Sequence, residues 1–242
     1  MEVIRLSLRN LASSRLRVLL AAVAVTVGVA FVVASFVLSD GLRATFDDVL
    51  EEAVADVDVM VRAASDFDEA EFQAQTFDEE TLAIVLDVPG VASADPALQS
   101  TKIVPVESDG DPVETTGAPI IAGNWVEPPR TLSVEQGRGP TASGEFAMDF
   151  TATDRFGFEI GQRYDVIGVD GREVFELVGT TRFGSENVLA GAVLLSFTIE
   201  DVQRLDGREG EVNFLELVAD DGVDPAALAQ QVALALPAGQ EA

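Results

Sequence analysis

The chain has 242 residues, and 42 Asp and Glu against 15 Lys and Arg leave it at −27. That charge repels a phosphate backbone and anionic headgroups, which disfavours nucleic-acid binding and docking on an acidic lipid surface. With no histidine and no cysteine, Ser-His-Asp and Cys-His catalysis, imidazole-ligated zinc, disulfides and thiol chemistry are excluded.

Residues 2–16 place Val3, Ile4, Leu8, Leu11 and Leu16 near one helical face, the pattern of an amphipathic segment along a membrane surface. Val18 to Leu38 then runs 21 residues without a charge. As a helix it is about 31 Å long, the thickness of a bilayer's hydrocarbon core. Its eight valines favour a strand in water, but a lone strand in lipid leaves its backbone unpaired, so the helix prevails. Arg5, Arg9, Arg15 and Arg17 against Glu2 give +3 before the run, leaving −30 after it. The arginines hold the N-terminus in the cytoplasm and place everything after residue 38 outside. The run exceeds the apolar core of a cleaved leader and no small-x-small site follows it, so an uncleaved anchor is expected. Ala24 with Gly28, and Ala30 with Ala34, are two small-residue pairs each four residues apart, which would let another helix approach closely.

Leu42, Phe46, Val49 and Leu50 continue the helical period, so Ser39 to Ala53 reads as a stalk above the membrane. Asp56 to Arg62 alternates as a strand. Residues 63–77 read as an acidic peripheral segment. Phe77 to Leu86 reads as a helix with Asp78 as N-cap, stopping before Pro89-Gly90. Val91 to Glu107 and Val113 to Ala122 read as a hairpin turned at Ser108-Asp109-Gly110-Asp111. Gly123 to Pro140, rich in glycine and proline, reads as a connection between subdomains.

Glu145 to Asp149 is expected as a strand and Thr151 to Phe156 as a short helix ended by Gly157. Tyr164 to Val169 and Arg172 to Arg182 make a hairpin about Asp170-Gly171. Phe183 to Gly191 is a loop and Ala192 to Phe197 a buried strand. Thr198 to Leu205 is a helix and Glu211 to Ala219 a strand. Asp224-Pro225 starts a last helix through Leu236, and 237–242 is an open polar end.

Chemical motifs are sparse. The only lysine, Lys102, lies in Ser100-Thr101-Lys102-Ile103, without a glycine-rich loop to cradle phosphate. Ser100 and Lys102 share a strand face, the one arrangement resembling a nucleophile pair. Asp109-Gly110-Asp111 and Asp220-Asp221-Gly222-Val223-Asp224 lack the spacing of a calcium loop. No catalytic, cofactor or metal residue is assigned.

The ordered set of features resembles ABC transporter permeases of the MacB/FtsX/LolC type. The resemblance rests on Leu8-Arg9-Asn10-Leu11 and Ser13-Ser14-Arg15-Leu16-Arg17 before the apolar run. It continues in Gly137-Arg138-Gly139-Pro140 followed by Gly144-Glu145-Phe146-Ala147-Met148, in Phe156 to Val166, and in Phe175-Glu176-Leu177-Val178-Gly179-Thr180. It implies an α+β fold: one transmembrane helix, then a two-lobed extracytoplasmic domain with an inserted strand-rich lobe. Carried onto this sequence, 54–122 with 211–236 form a porter-like lobe and 123–210 the inserted one. It also implies a non-catalytic membrane subunit working with a separate ATP-binding subunit and a second or homologous permease copy. Such permeases return to the membrane where this sequence stops, so a piece of a longer permease is expected. The alternative is a single-pass membrane-anchored extracellular binding or sensor module.

Overall fold

The computed structural model describes residues 19–20, 23–31, 57–64, 75–129, 132–184 and 191–242. It divides into two units, Met1–Leu50 and Glu51–Ala242. In the first, residues 19–20 and 23–31 are helical, and apolar side chains from Leu19 to Phe31 are exposed. Among the described residues no helix is long and apolar enough to cross a membrane, so the expected span is not shown over its length. Arg5, Arg9, Arg15, Arg17, Ala34 and the stalk at 39–53 lie outside the described residues, as do residues 65–74 of the acidic segment.

The second unit is a mixed α/β domain that begins in a small sheet. β1 (Val59–Ala63) buries Val59 and Val61 and exposes Arg62, the period-two pattern of a strand with one covered face. β2 (Phe77–Asp78), α1 (Thr81–Leu86) and β3 (Val91–Ala97) follow. The chain then leaves for a larger sheet. This contains β4 (Gln99–Ser100), β5 (Val104–Pro105), β6 (Ile120–Asn124), β7 (Leu132–Gly137) and β8 (Glu145–Asp149). After α2 (Phe150–Phe156) come β9 (Arg163–Gly168), β10 (Gly171–Phe183), β11 (Val193–Phe197) and α3 (Ile199–Asp206). The return to the small lobe runs through β12 (Glu211–Val212), β13 (Phe214–Ala219), α4 (Pro225–Ala235) and β14 (Gln240–Glu241).

The small sheet is ordered β14-β1-β13-β3 and antiparallel throughout. α1 and α4 supply Val85, Leu228 and Val232 to a core with Val59, Val61, Leu215 and Leu217. The larger sheet is ordered β4-β6-β11-β8-β10-β9-β5, with β7 alongside β10. Its two end strands, β4 and β5, are separated only by residues 101–103, so the sheet must curl towards closure. Phe146 stacks on Phe197 at 5.8 Å, and Phe175 meets Phe197 edge-on at 5.2 Å, inside this barrel-like lobe. Such aromatic contacts add about 1 kcal/mol each beyond the area they bury.

Several expectations require correction. Asp78 does not cap a helix: Phe77 and Asp78 pair with Val212 and Glu211, Asp78 accepts the Glu80 N–H at 2.8 Å, and the helix begins at Thr81. The hairpin expected between Val91–Glu107 and Val113–Ala122 is kept only in part: β4 pairs antiparallel with β6, Ser100 opposite Ala122, and Val106 bridges Pro112, while β3 leaves to pair with β13 and β6 pairs on its other side with β11. The connection at 123–140 contains β7, which pairs with the far half of β10. The strand at 211–219 breaks at Asn213 into β12 and β13. The end at 237–242 is not open, since Gln240 and Glu241 pair with Ala63 and Arg62. The sheets divide near residue 98 rather than 122, because β4, β5 and β6 all belong to the larger sheet.

Candidate relay site between the two lobes

α3 starts where the Thr198 hydroxyl accepts the Asp201 N–H at 3.3 Å. It stops at Gly207, whose φ of 70° is a left-handed cap that glycine adopts without a Cβ clash. Val202 and Leu205 enter the barrel core, and Ile199 packs against both cores. The polar residues of this helix are also buried: Asp201, Gln203 and Asp206 are at most 6% exposed. A buried carboxylate costs several kcal/mol unless cations and hydrogen-bond donors surround it, and both aspartates have them.

Asp201 accepts the Ser143 hydroxyl at 2.7 Å, the Gly144 N–H at 2.9 Å and the Arg204 guanidinium at 2.5 Å. Arg204 also pairs with Glu173 of β10. Asp206 accepts the Ser100 hydroxyl at 2.6 Å and meets Lys102 Nζ at 3.2 Å and Arg208 Nε at 3.1 Å. Gln203 points the other way, donating to Glu79 Oε2 at 2.8 Å and to the Glu211 carbonyl at 3.1 Å in the small lobe. One short helix thus holds the loop at 143–144, β10, the outgoing crossing and the small lobe. Ser100 and Lys102, the candidate nucleophile pair, serve one carboxylate, and the serine hydroxyl points at Asp206 rather than at an open site.

Ser143 and Gly144 belong to a second polar construction. Arg138 binds Glu145 through two parallel contacts, at 2.7 and 2.5 Å, the fork geometry that suits a guanidinium to a carboxylate. The Thr141 and Ala142 N–H groups donate to Glu145 Oε2 at 3.0 and 3.2 Å. The Arg138 guanidinium first, then these amides, outweigh partial burial and pull the Glu145 carboxyl from 4.5 to about 2. A depressed folded value stabilises the fold above the ordinary value, and that contribution is lost as pH falls from 4.5 towards 2. Thermal unfolding of the parent and Glu145→Gln should therefore differ at pH 6 and converge near pH 2; a gap that is constant across this window would contradict the clasp.

Glycines make this clasp possible. A Cβ on Gly139 would lie 2.3 Å from the Trp125 indole, and one on Gly137, at φ 73°, 2.4 Å from the Val178 carbonyl oxygen. Gly179 backs directly onto Arg138. The segments that carry the permease resemblance, 137–145 and 175–180, therefore meet in one place, and Asp201 ties that place to α3.

Amide side chains close the joint between lobes. Asn124 accepts the Leu98 N–H at 2.9 Å and donates to the Pro96 carbonyl at 2.9 Å. Asn213 accepts the Gln99 N–H at 2.7 Å, and its own N–H reaches the Ala97 carbonyl at 2.9 Å. Of the residues expected to matter for packing in the apolar run, Ala24, Gly28 and Ala30 are exposed, and a Cβ on Gly28 would meet nothing within 4 Å. Sequence reasoning missed Asn124, Asp201, Gln203, Asp206 and Asn213. The available signal was Arg204 three residues after Asp201 beside apolar Val202 and Leu205.

A family model described as the MacB-like periplasmic core domain matches residues 18–235. The periplasmic region of MacB from Actinobacillus actinomycetemcomitans aligns with TM-score 0.55 and 15% identity, covering 80% of this chain and 92% of that one. The extracellular domain of the noncanonic ABC-type transporter YknZ from Gram-positive bacteria aligns with TM-score 0.51 and 13% identity, covering 76% of this chain and 97% of that one. At these identities the two structures speak to fold alone. No curated protein matches the sequence. Since the family model covers most of the chain and the glycine clasp assembles the segments expected of it, the chain belongs to the MacB-like periplasmic core domain family of ABC transporter permeases.

Proposed function

We propose that this chain is a non-catalytic part of an ABC permease whose outer domain relays conformational change from a partner ATPase, for export or extraction of a substrate. Val18 to Leu38 spans the cell membrane as a helix, Arg5, Arg9, Arg15 and Arg17 hold its N-terminus inside, and the stalk to residue 53 carries motion outward. Ala24, Gly28, Ala30 and Ala34 pack against a neighbouring helix of the permease. The outer domain works as two lobes, 57–97 with 211–241 and 99–206. A separate ATP-binding subunit supplies the energy, and a second or homologous permease copy completes the assembly. The observation that carries this reading is α3: a buried polar helix that belongs to the barrel-like lobe and touches the small lobe through Ile199 and Gln203, so that movement of one lobe is felt by the other.

Two measurements on the full chain test it. A cysteine replacing Asp170, on the exposed tip of the β9–β10 hairpin, should react with a membrane-impermeant maleimide in intact cells, while one replacing Ser7 should not. The tagged protein should also co-purify with an ATP-binding subunit. Reversed labelling, or recovery from native membranes without any ATPase, overturns the proposal. A membrane-anchored binding module is the second reading, favoured by an open cleft of about 670 Å³ lined by Phe77, Leu82, Glu79 and Glu211. It predicts outside labelling with no ATPase partner.

A further inference from the structure

The side-chain contacts across the lobe junction differ in kind from those on either side of it. Ion pairs between described residues stay within a lobe or within the return crossing: Arg62 with Glu241 in one, Arg138 with Glu145 and Arg204 with Asp201 and Glu173 in the other. Lys102 and Arg208 both serve Asp206, at the end of α3. What crosses the junction is uncharged on the donor side. Asn124 reaches Pro96, Gln99 reaches Asn213, and Gln203 reaches Glu79 and the Glu211 carbonyl. Carboxamides carry no charge and do not titrate, and the charged group met across the junction is the Glu79 carboxylate, which accepts from Gln203. Two backbone strands also cross here, at 97–99 and 207–213, and the second carries Gly207 and Gly210 at φ of 70° and 76°.

We propose that Asn124, Gln203 and Asn213 form a neutral amide hinge about which the two lobes rotate, with α3 moving as part of the barrel-like lobe. The reason α3 sides with the barrel is the strength of its ties. Asp201, Arg204 and Asp206 bind Ser143, Gly144, Glu173, Ser100 and Lys102 on the barrel side. Only Gln203 among its polar side chains reaches the small lobe. With no ion pair crossing the junction among the described residues, salt has no pair to screen there, and no amide of the hinge gains or loses a proton. The hinge deepens the relay reading by naming the element that moves, and its geometry is measured without any ATPase.

Because the chain has no native cysteine, pairs of introduced cysteines can be spin-labelled cleanly on the full chain in detergent. Asp170, Glu200 and Gln231 are exposed and sit on the barrel, on α3 and on α4. The 170–231 distance distribution of the otherwise unaltered protein should not change with salt, or with pH between 5 and 8. Gln203→Glu sets a second carboxylate against Glu79, so it should broaden the 170–231 and 200–231 distributions about twofold and make them salt-sensitive. Gln203→Ala should broaden them without salt sensitivity. In every case 170–200 should stay narrow. A 170–231 distribution that responds to salt without substitution, one unmoved by either variant, or a 170–200 distribution that broadens with the rest each overturns the hinge. None of these results bears on whether an ATPase co-purifies, so the two readings fail separately.

Discussion

Replacing Gly179 with alanine is expected to destabilise the outer domain by about 3 kcal/mol or more, combining overpacking with lost strand pairing. The new Cβ would lie 2.2 Å from the Arg138 carbonyl oxygen, 2.6 Å from the Arg138 nitrogen and 2.8 Å from the Gln136 carbonyl oxygen. All three are main-chain atoms of the strand end that pairs with β10, so no rotamer change relieves the clash. β7 must withdraw, taking its register with Gly179 to Phe183 and the seat of Arg138 with it. Gly144→Ala is the matched control. Its φ of 86° is left-handed, but a Cβ there meets nothing within 4 Å, so it costs only the conformational strain of about 1–2 kcal/mol. Denaturant titration of both variants checks the ranking. Gly179→Ala should also lose the acid sensitivity that Glu145 confers, since Arg138 no longer reaches it. Equal destabilisation by the two alanines would show that β7 yields at little cost.

Local chemistry made much of the barrel lobe legible. The Asp170-Gly171 turn fixed the β9–β10 hairpin to within a residue or two, β8 and β11 were visible as short, largely apolar runs that the structure buries along nearly their whole length, and Gly157 stopped α2. What failed to show has common physical causes. β7 leaves nearly all its side chains exposed, so it carries no hydrophobic period. β14 is two residues long and is a strand only because Arg62 and Ala63 lie beside it. The division near residue 98 is a matter of which strands pair, and pairing partners are far apart in sequence. Asp201 and Asp206 resemble the chain's other acids on paper; burial separates them, and burial depends on Ser143 and Ser100, 58 and 106 residues away. The glycine and arginine segments behind the permease resemblance were visible as an ordered series, but their convergence on one clasp required the crossing of β7 and β10.

Asp206→Ala is expected to cost about 3 kcal/mol, the low end for removing one partner of a buried charge cluster. The low end applies because Lys102 and Arg208 have half- and third-exposed side chains and can turn to solvent. The Ser100 hydroxyl cannot: Ser100 is 4% exposed and loses the acceptor held at 2.6 Å, a loss of about 1–3 kcal/mol for a buried orphan. Asp206→Asn should be milder, since its amide oxygen still accepts from Ser100 while the cations lose their counter-charge. Lys102→Ala should cost under about 1 kcal/mol, as for exposed ion pairs. Ser100→Ala combined with Asp206→Ala should be less damaging than the sum of the two, because the second change removes a group the first had already stranded. Asp206 also binds the end of α3 to the outgoing crossing. Its removal should therefore free the helix from the barrel and broaden the 170–200 distance that Gln203 variants leave alone. A narrow 170–200 distribution in Asp206→Ala would mean that Asp201 and Arg204 suffice to hold α3, and that the buried aspartate stabilises the lobe without directing its motion.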